Sequence, residues 1–157
     1  MSLLFSAGSQ TDELAPGEIR QALFHALDVL GERRNVIAVP PDITRYHSRA
    51  GMITEVVYEY YGDRLARVLP ATGTHTAMTG EEIERMYGSI PRDRFAVHDF
   101  RNGISTVGDV PASFVREQAE GQLEFSWPVQ VNRLLVEGCF DLILSIGQVV
   151  QIGRAHV

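Results

Sequence analysis

The chain has 157 residues, a net charge of −6 from 14 basic and 20 acidic side chains, and one cysteine. All of its basic residues are arginine, so a lysine-bearing phosphate loop and Schiff-base catalysis are both excluded within it. The acidic balance argues against a general nucleic-acid binder, a lone cysteine excludes an internal disulfide, and 45% hydrophobic residues can build the core of one domain. With neither a basic leader nor a long apolar run, the chain is expected to be cytoplasmic and to make no contact with membranes.

In chain order, Ile19, Leu23, Ala26, Leu27 and Leu30 recur at helical spacing between Pro16 and Gly31, which predicts a helix over residues 16–30. His25 falls between apolar positions of that helix and is expected to be packed. Val36-Ile37-Ala38-Val39 has no polar face, as a strand covered on both sides would. It stops at Pro40-Pro41, and a second helix from about residue 48 gathers Ile53, Val56, Val57 and Tyr60 on one face. A second strand is expected over residues 67–71. Thr79 and Glu82 then carry the signature of a capping box, with Met78 and Ile83 placed as a hydrophobic staple, so a third helix starts there.

Further along, the turn signal Asn102-Gly103 separates residues 95–98 from 104–107, which predicts a small antiparallel pair with His98 at a strand end. A short helix is expected over residues 113–120. Trp127-Pro128 suggests an anchored loop entry, and residues 129–137 fit strand or helix equally well. Cys139 has no basic neighbour in sequence, so burial is expected of it rather than nucleophilic chemistry. Leu142-Ile143-Leu144-Ser145-Ile146 is a last apolar strand, closed by Gly147. Buried-type strands alternating with helices predict an α/β fold on a mostly parallel sheet with flanking helices.

In such a sheet the ligand crevice lies beyond the carboxyl ends of the strands. Asp42, Thr44, Arg45, Tyr46, His47, Ser48 and Arg49 follow the first strand there, and Gly73, Thr74 and His75 follow the second, just ahead of a helix N-terminus. Arg45 offers a planar fork to a carboxylate or phosphate, and the free N–H groups of the helix start favour the same anions. His75 is the side-chain type suited to proton transfer near neutral pH. The structural alternative is a turn closed by Asp42 with a surface ion pair, and a histidine that only caps a carbonyl. His47 is expected either to support the site residues from behind or to face solvent. No His-x-x-x-His or Cys-x-x-Cys spacing occurs, so no metal ligand is assigned in this chain.

Pro41-Asp42-Ile43-Thr44-Arg45, together with Ala71-Thr72-Gly73-Thr74-His75-Thr76-Ala77-Met78-Thr79-Gly80-Glu81-Glu82-Ile83, resembles the N-terminal domain of the nickel-pincer lactate racemase family. Asp141-Leu142-Ile143-Leu144-Ser145-Ile146-Gly147-Gln148-Val149-Val150 is similar to the strand that leads to that family's next active-site loop. The resemblance implies a Rossmann-like N-terminal domain of a two-domain enzyme that racemises or epimerises lactate or a related 2-hydroxy acid. It also implies a nickel-pincer mononucleotide of the pyridinium thioamide type, tethered through a lysine. On that resemblance His75 matches one of two acid/base histidines, taking the hydroxyl proton while hydride passes to the cofactor. Asp42, Thr44 and Arg45 match the loop that holds cofactor or substrate anions, and Gly73 and Thr74 would let the backbone approach the ligand. The second histidine, the nickel-binding histidine and the lysine lie downstream in the family. Thr76 stands where many members carry arginine or another large residue.

Residues 151–157 do not continue the family pattern, and they can be encoded by a stretch that looks like a sequencing-library adapter. The expected organisation is therefore a domain over residues 1–150, incomplete at its C-terminal end, followed by a non-native tail. Expected partners are a small 2-hydroxy acid and a C-terminal domain, with no nucleic acid, and the chain alone is expected not to turn over. The alternative is a non-catalytic α/β module that binds a phosphate- or carboxylate-bearing small molecule.

Overall fold

Pro16 opens the first helix, α1 (Pro16–Val29), where its missing N–H would find no partner within the helix anyway. Glu18 reaches back to accept the Ala15 N–H at 2.8 Å, and Leu27 turns into the core with Leu23 and Leu30 beside it. The computed structural model describes residues 3–9 and 11–147. Gln148-Val149-Val150 and the expected tail at 151–157 lie outside the described residues.

Strand β1 (Val36–Val39) follows, with Val36, Ile37 and Ala38 fully buried, as its unbroken apolar run demands. Next come α2 (Ala50–Tyr61), β2 (Leu65–Val68) and α3 (Gly80–Tyr87). They are followed by β3 (Ile104–Val110), α4 (Ala112–Gln118), β4 (Trp127–Asn132), α5 (Arg133–Glu137) and β5 (Leu142–Ser145). β2, β1 and β5 form a parallel sheet with β1 in the middle, while β3 and β4 form a separate antiparallel ribbon. The expected α/β class with a parallel sheet is what the chain adopts.

One face of the parallel sheet presents Val36, Ala38, Leu65 and Val68 to a helical layer. Leu27 of α1, Val57 and Tyr61 of α2, and Met86 and Tyr87 of α3 meet them there. Each buried valine, leucine or methionine in this layer contributes roughly 1.5–3 kcal/mol. A Cβ on Gly51 would lie 1.8 Å from the Met86 carbonyl oxygen, so the close approach of α2 to the end of α3 depends on glycine. The Tyr60 hydroxyl donates to Asp28 at 2.6 Å and Arg20 grips the Glu59 carboxylate, joining α2 to α1. Among the described residues no helix is long and apolar enough to cross a membrane.

Several expectations are corrected. The second strand starts at Leu65, which is fully buried, and its regular ladder stops at Val68 instead of running over residues 67–71. Pro40 and Pro70 have no N–H to give, so pairing continues only through Leu69 N–H to Ala38 at 2.8 Å and Ala71 N–H to Pro40 at 2.7 Å. Residues 95–98 do not pair with 104–107. β3 pairs with β4, and Phe95 makes a single parallel bridge to Val68. Asn102-Gly103 is still a turn, held by Asp99, which accepts the N–H groups of Arg101 and Asn102 at 2.9 and 3.0 Å.

The ambiguous stretch 129–137 is both elements in turn. The strand ends at Asn132, whose side chain accepts the Leu134 N–H at 2.9 Å and starts α5. His25 is exposed rather than packed, because two residues at helical pitch carry it to the face opposite Leu27. Cys139 is exposed rather than buried, on a turn with φ of 50° that turns it outward after α5. Trp127 is exposed at the first position of β4, since the two-stranded ribbon has no layer against it there.

Candidate functional site

The parallel pairing of β1 with β2 decides which loops meet. Pro41 bridges Ala71 in parallel, so the segments leaving the two strands run side by side past their prolines. The first segment turns at once into a 3-10 helix, Ile43–Ser48, with Asp42 as its cap. One Asp42 oxygen accepts the Thr44 N–H at 3.0 Å and the Thr44 hydroxyl as well, closing an Asx turn. The second segment turns through Gly73 at φ of 58°, a left-handed conformation suited to glycine, and the His75 N–H closes the turn on Thr72 at 2.9 Å.

These two turns bring His75 Nδ1 to 2.6 Å from the second oxygen of Asp42. The carboxylate can only accept, so Nδ1 carries the proton, and in the neutral ring Nε2 keeps its lone pair. Asp42 is 5% exposed, whereas the His75 side chain is 59% exposed, so a buried carboxylate orients a ring that faces solvent. Burial pushes the Asp42 carboxyl up, but the hydrogen bonds from Thr44 and His75 outweigh it, and the group ends below its ordinary pKa. Behind the turn the fully buried Tyr87 of α3 donates its hydroxyl to the Pro41 carbonyl. Burial, and then the Asp42 charge, push that phenol far above its usual pKa and keep it a donor.

The remaining predicted site residues surround this pair with fewer contacts. Thr44 supports Asp42. The Arg45 side chain is exposed and makes no hydrogen bond or ion pair among the described residues, while its backbone N–H donates to Asp42 at 3.0 Å. Gly73 and Thr74 are exposed on the turn before His75. His47 is exposed, the second of the two expected placements, and lines a cleft of about 500 Å³ with Tyr46, Arg49 and Arg85 whose walls include neither Asp42 nor His75. Among the described residues no three of His, Cys, Asp and Glu come together as a metal site.

The profile of the lactate racemase N-terminal domain family matches residues 18–151 of this chain. The chain belongs to that family. Among solved structures, a Thermotoga maritima protein determined by a structural genomics consortium is 35% identical, with a TM-score of 0.73. The match covers 84% of this chain and 33% of that one. The lactate racemase apoprotein from Thermoanaerobacterium thermosaccharolyticum is 19% identical with a TM-score of 0.58, over 83% of this chain and 31% of its own, and that likeness shows the fold. This chain thus spans about a third of the length of the solved structures it matches. No curated protein matches it in sequence.

Within this lactate racemase N-terminal domain, one polar pair escaped the sequence reading. His98 is half-buried in a loop, not at a strand end, and its Nδ1 lies 2.8 Å from the Asn132 side-chain amide. The signal available in the sequence was an asparagine directly ahead of Arg133-Leu134-Leu135, a start signal for a helix. It marked Asn132 as a cap but could not reveal which loop the other end of that amide would meet.

Proposed function

We propose that the protein is a nickel-pincer-dependent racemase or epimerase of lactate or a related 2-hydroxy acid, to which this chain contributes the N-terminal part. The observation that carries the reading is the contact between His75 and buried Asp42 at the carboxyl edge of the sheet, in a chain of this family. The family's cofactor is attached through a lysine, and this chain contains none. Among the described residues no set of ligands gathers around a metal. The residues present do not fit attachment of that group, and its tether and ligands are assigned to other parts of the protein.

What this chain's own residues supply is proton transfer and anion binding. His75 Nε2, unprotonated while Nδ1–H is held by Asp42, takes the hydroxyl proton of the 2-hydroxy acid. The imidazolium so formed is stabilised by the ionised Asp42, and it gives the proton back when the reaction runs in reverse. Arg45, three residues beyond Asp42 and without an acidic partner among the described residues, binds the substrate carboxylate or a cofactor phosphate. The free Arg45 side chain equally suits a non-catalytic module that binds such an anion.

Replacing His75 with alanine in the whole protein, loaded with its cofactor, is expected to lower racemisation by about a hundredfold or more, the usual worth of a positioned acid/base. Chiral chromatography of D- and L-lactate measures it. A near-wild-type rate would remove His75 from the mechanism, whereas no racemisation by the whole loaded protein would favour the binding module. Incubated alone, the 157-residue chain is expected to leave L-lactate unconverted.

A further inference from the structure

The β3–β4 ribbon has two unlike faces. Side chains alternate across a strand, so Trp127, Val129 and Val131 lie on one side of β4 and Pro128, Gln130 and Asn132 on the other. Pairing sets Val110 of β3 opposite Trp127, which extends the apolar side, and Asp109 opposite Pro128 on the polar side. Just ahead of the strand, the Phe125 ring lies 5.7 Å from that of Trp127 and lengthens the apolar side further. Such alternation belongs to a strand with one face against a core and the other in water. Here the apolar face is open: Trp127 is 57% exposed, Phe125 41% and Val129 39%.

A two-stranded ribbon is at best marginally stable in water without a further strand or a layer packed on it. Among the described elements its main neighbour is the short helix α5, at the Asn132 end. The solved structures that this chain matches extend well beyond the match, which takes up 33% and 31% of their lengths, so about two-thirds of each lies outside it. Charge then separates two possible occupants. α4 and the turn after it, which join the two strands, carry Glu117, Glu120 and Glu124 against one basic side chain, Arg116, held by Glu124 at 3.5 Å. A second copy would bring the same acidic flank and a net charge of −6 to this face.

We propose that the apolar face of the ribbon seats the remaining two-thirds of the protein, which lays an apolar surface bordered by basic side chains across Phe125, Trp127 and Val129. The strip ends at Val131, in the wall of a chamber that also includes Gly73, so its occupant stands beside the carboxyl edge of the sheet. The contact follows from family membership and does not depend on the racemase reading.

The test is hydroxyl-radical footprinting of the whole protein without cofactor, with oxidation read at each residue by mass spectrometry. Against the urea-unfolded protein, Phe125 and Trp127 are expected to be oxidised at least about tenfold more slowly, as buried Tyr87 is, while exposed His25 stays within about twofold. The protection is expected to persist on dilution to a single protomer, as judged by sedimentation. Trp127→Glu sets a charge into the contact and is expected to return Phe125 to within about threefold of its unfolded rate, with Tyr87 still protected. Glu117→Arg combined with Glu120→Arg alters only exposed side chains and is expected to speed Phe125 oxidation by about threefold or more. Should Tyr87 lose its protection in Trp127→Glu, the glutamate pair decides. His75→Ala leaves the footprint unchanged, so loss of the racemase reading leaves this contact standing. Oxidation of Phe125 and Trp127 at their unfolded rates, protection that vanishes on dilution as a dimer separates, or unchanged protection in both variants would overturn the proposal.

Discussion

Both oxygens of Asp42 are engaged, one by the Thr44 N–H and hydroxyl and the other by His75, so the side chain binds two loops together while remaining ionised. Because its pKa in the folded chain lies below the ordinary carboxylate value, the stability it adds is full above about pH 4. That stability is lost as the pH falls through the lowered value. Asp42→Asn is expected to be less stable than wild type at neutral pH and to show a flatter decline from about pH 4 downward. Urea unfolding at a series of pH values measures this, and parallel profiles for the two proteins would contradict it. At this scale the sequence was informative about identity and silent about geometry. Asp42 and His75 could be picked out by type and position, but their contact follows from a parallel register that no local spacing encodes. The exposed His25 and Cys139 show the converse, since neighbours in sequence do not decide burial.

Among the elements, α3 was the most legible, because capping is local chemistry. Thr79 accepts the Glu82 N–H at 3.2 Å and Glu82 accepts the Thr79 N–H at 2.8 Å, the reciprocal pair that the spacing predicts. Thr79→Ala is expected to cost about 1 kcal/mol of unfolding free energy, read by chemical denaturation. Gly51→Ala acts in the opposite way, by adding an atom where Met86 already stands. Overpacking of this kind is expected to cost roughly 1–3 kcal/mol and to loosen α3 together with the Tyr87 contact to Pro41. Hydrogen exchange at residues 80–87 would show that loosening, and an unchanged pattern would show that the helices adjust. The false hairpin at 95–107 failed for a long-range reason. A turn signal fixes where the chain bends, but β3 found its partner in a segment beyond α4, and of residues 95–98 only Phe95 bridges to the parallel sheet, at Val68.

For the molecule as a whole, apolar side chains remain at the surface in quantity: Phe114, Leu123, Phe125, Trp127 and Val129 are all exposed in the region of α4 and the β3–β4 ribbon. Exposed apolar surface of this kind promotes association. The 157-residue chain is expected to sediment with increasing apparent mass as its concentration rises, and Trp127→Ser to reduce that dependence. A single concentration-independent species would contradict it. Alternating apolar segments made the layered architecture legible at this scale, whereas the surplus of exposed aromatics could be seen only once the ribbon stood apart from the main sheet.

The position of β5 has a consequence for how the protein is made. β1 is flanked on one side by β2, close in sequence, and on the other by β5, whose entry is fastened by Asp141 to the backbone of Arg34 and Asn35 across more than a hundred residues. During synthesis the innermost strand therefore leaves the ribosome long before its second neighbour exists. Throughout that interval Val36, Ile37 and Ala38 present an unpaired edge, the kind of surface that recruits strands from other chains. The sheet's own topology thus makes a chaperone that shields β1, or a pause that lets β5 arrive, a determinant of the yield of folded protein.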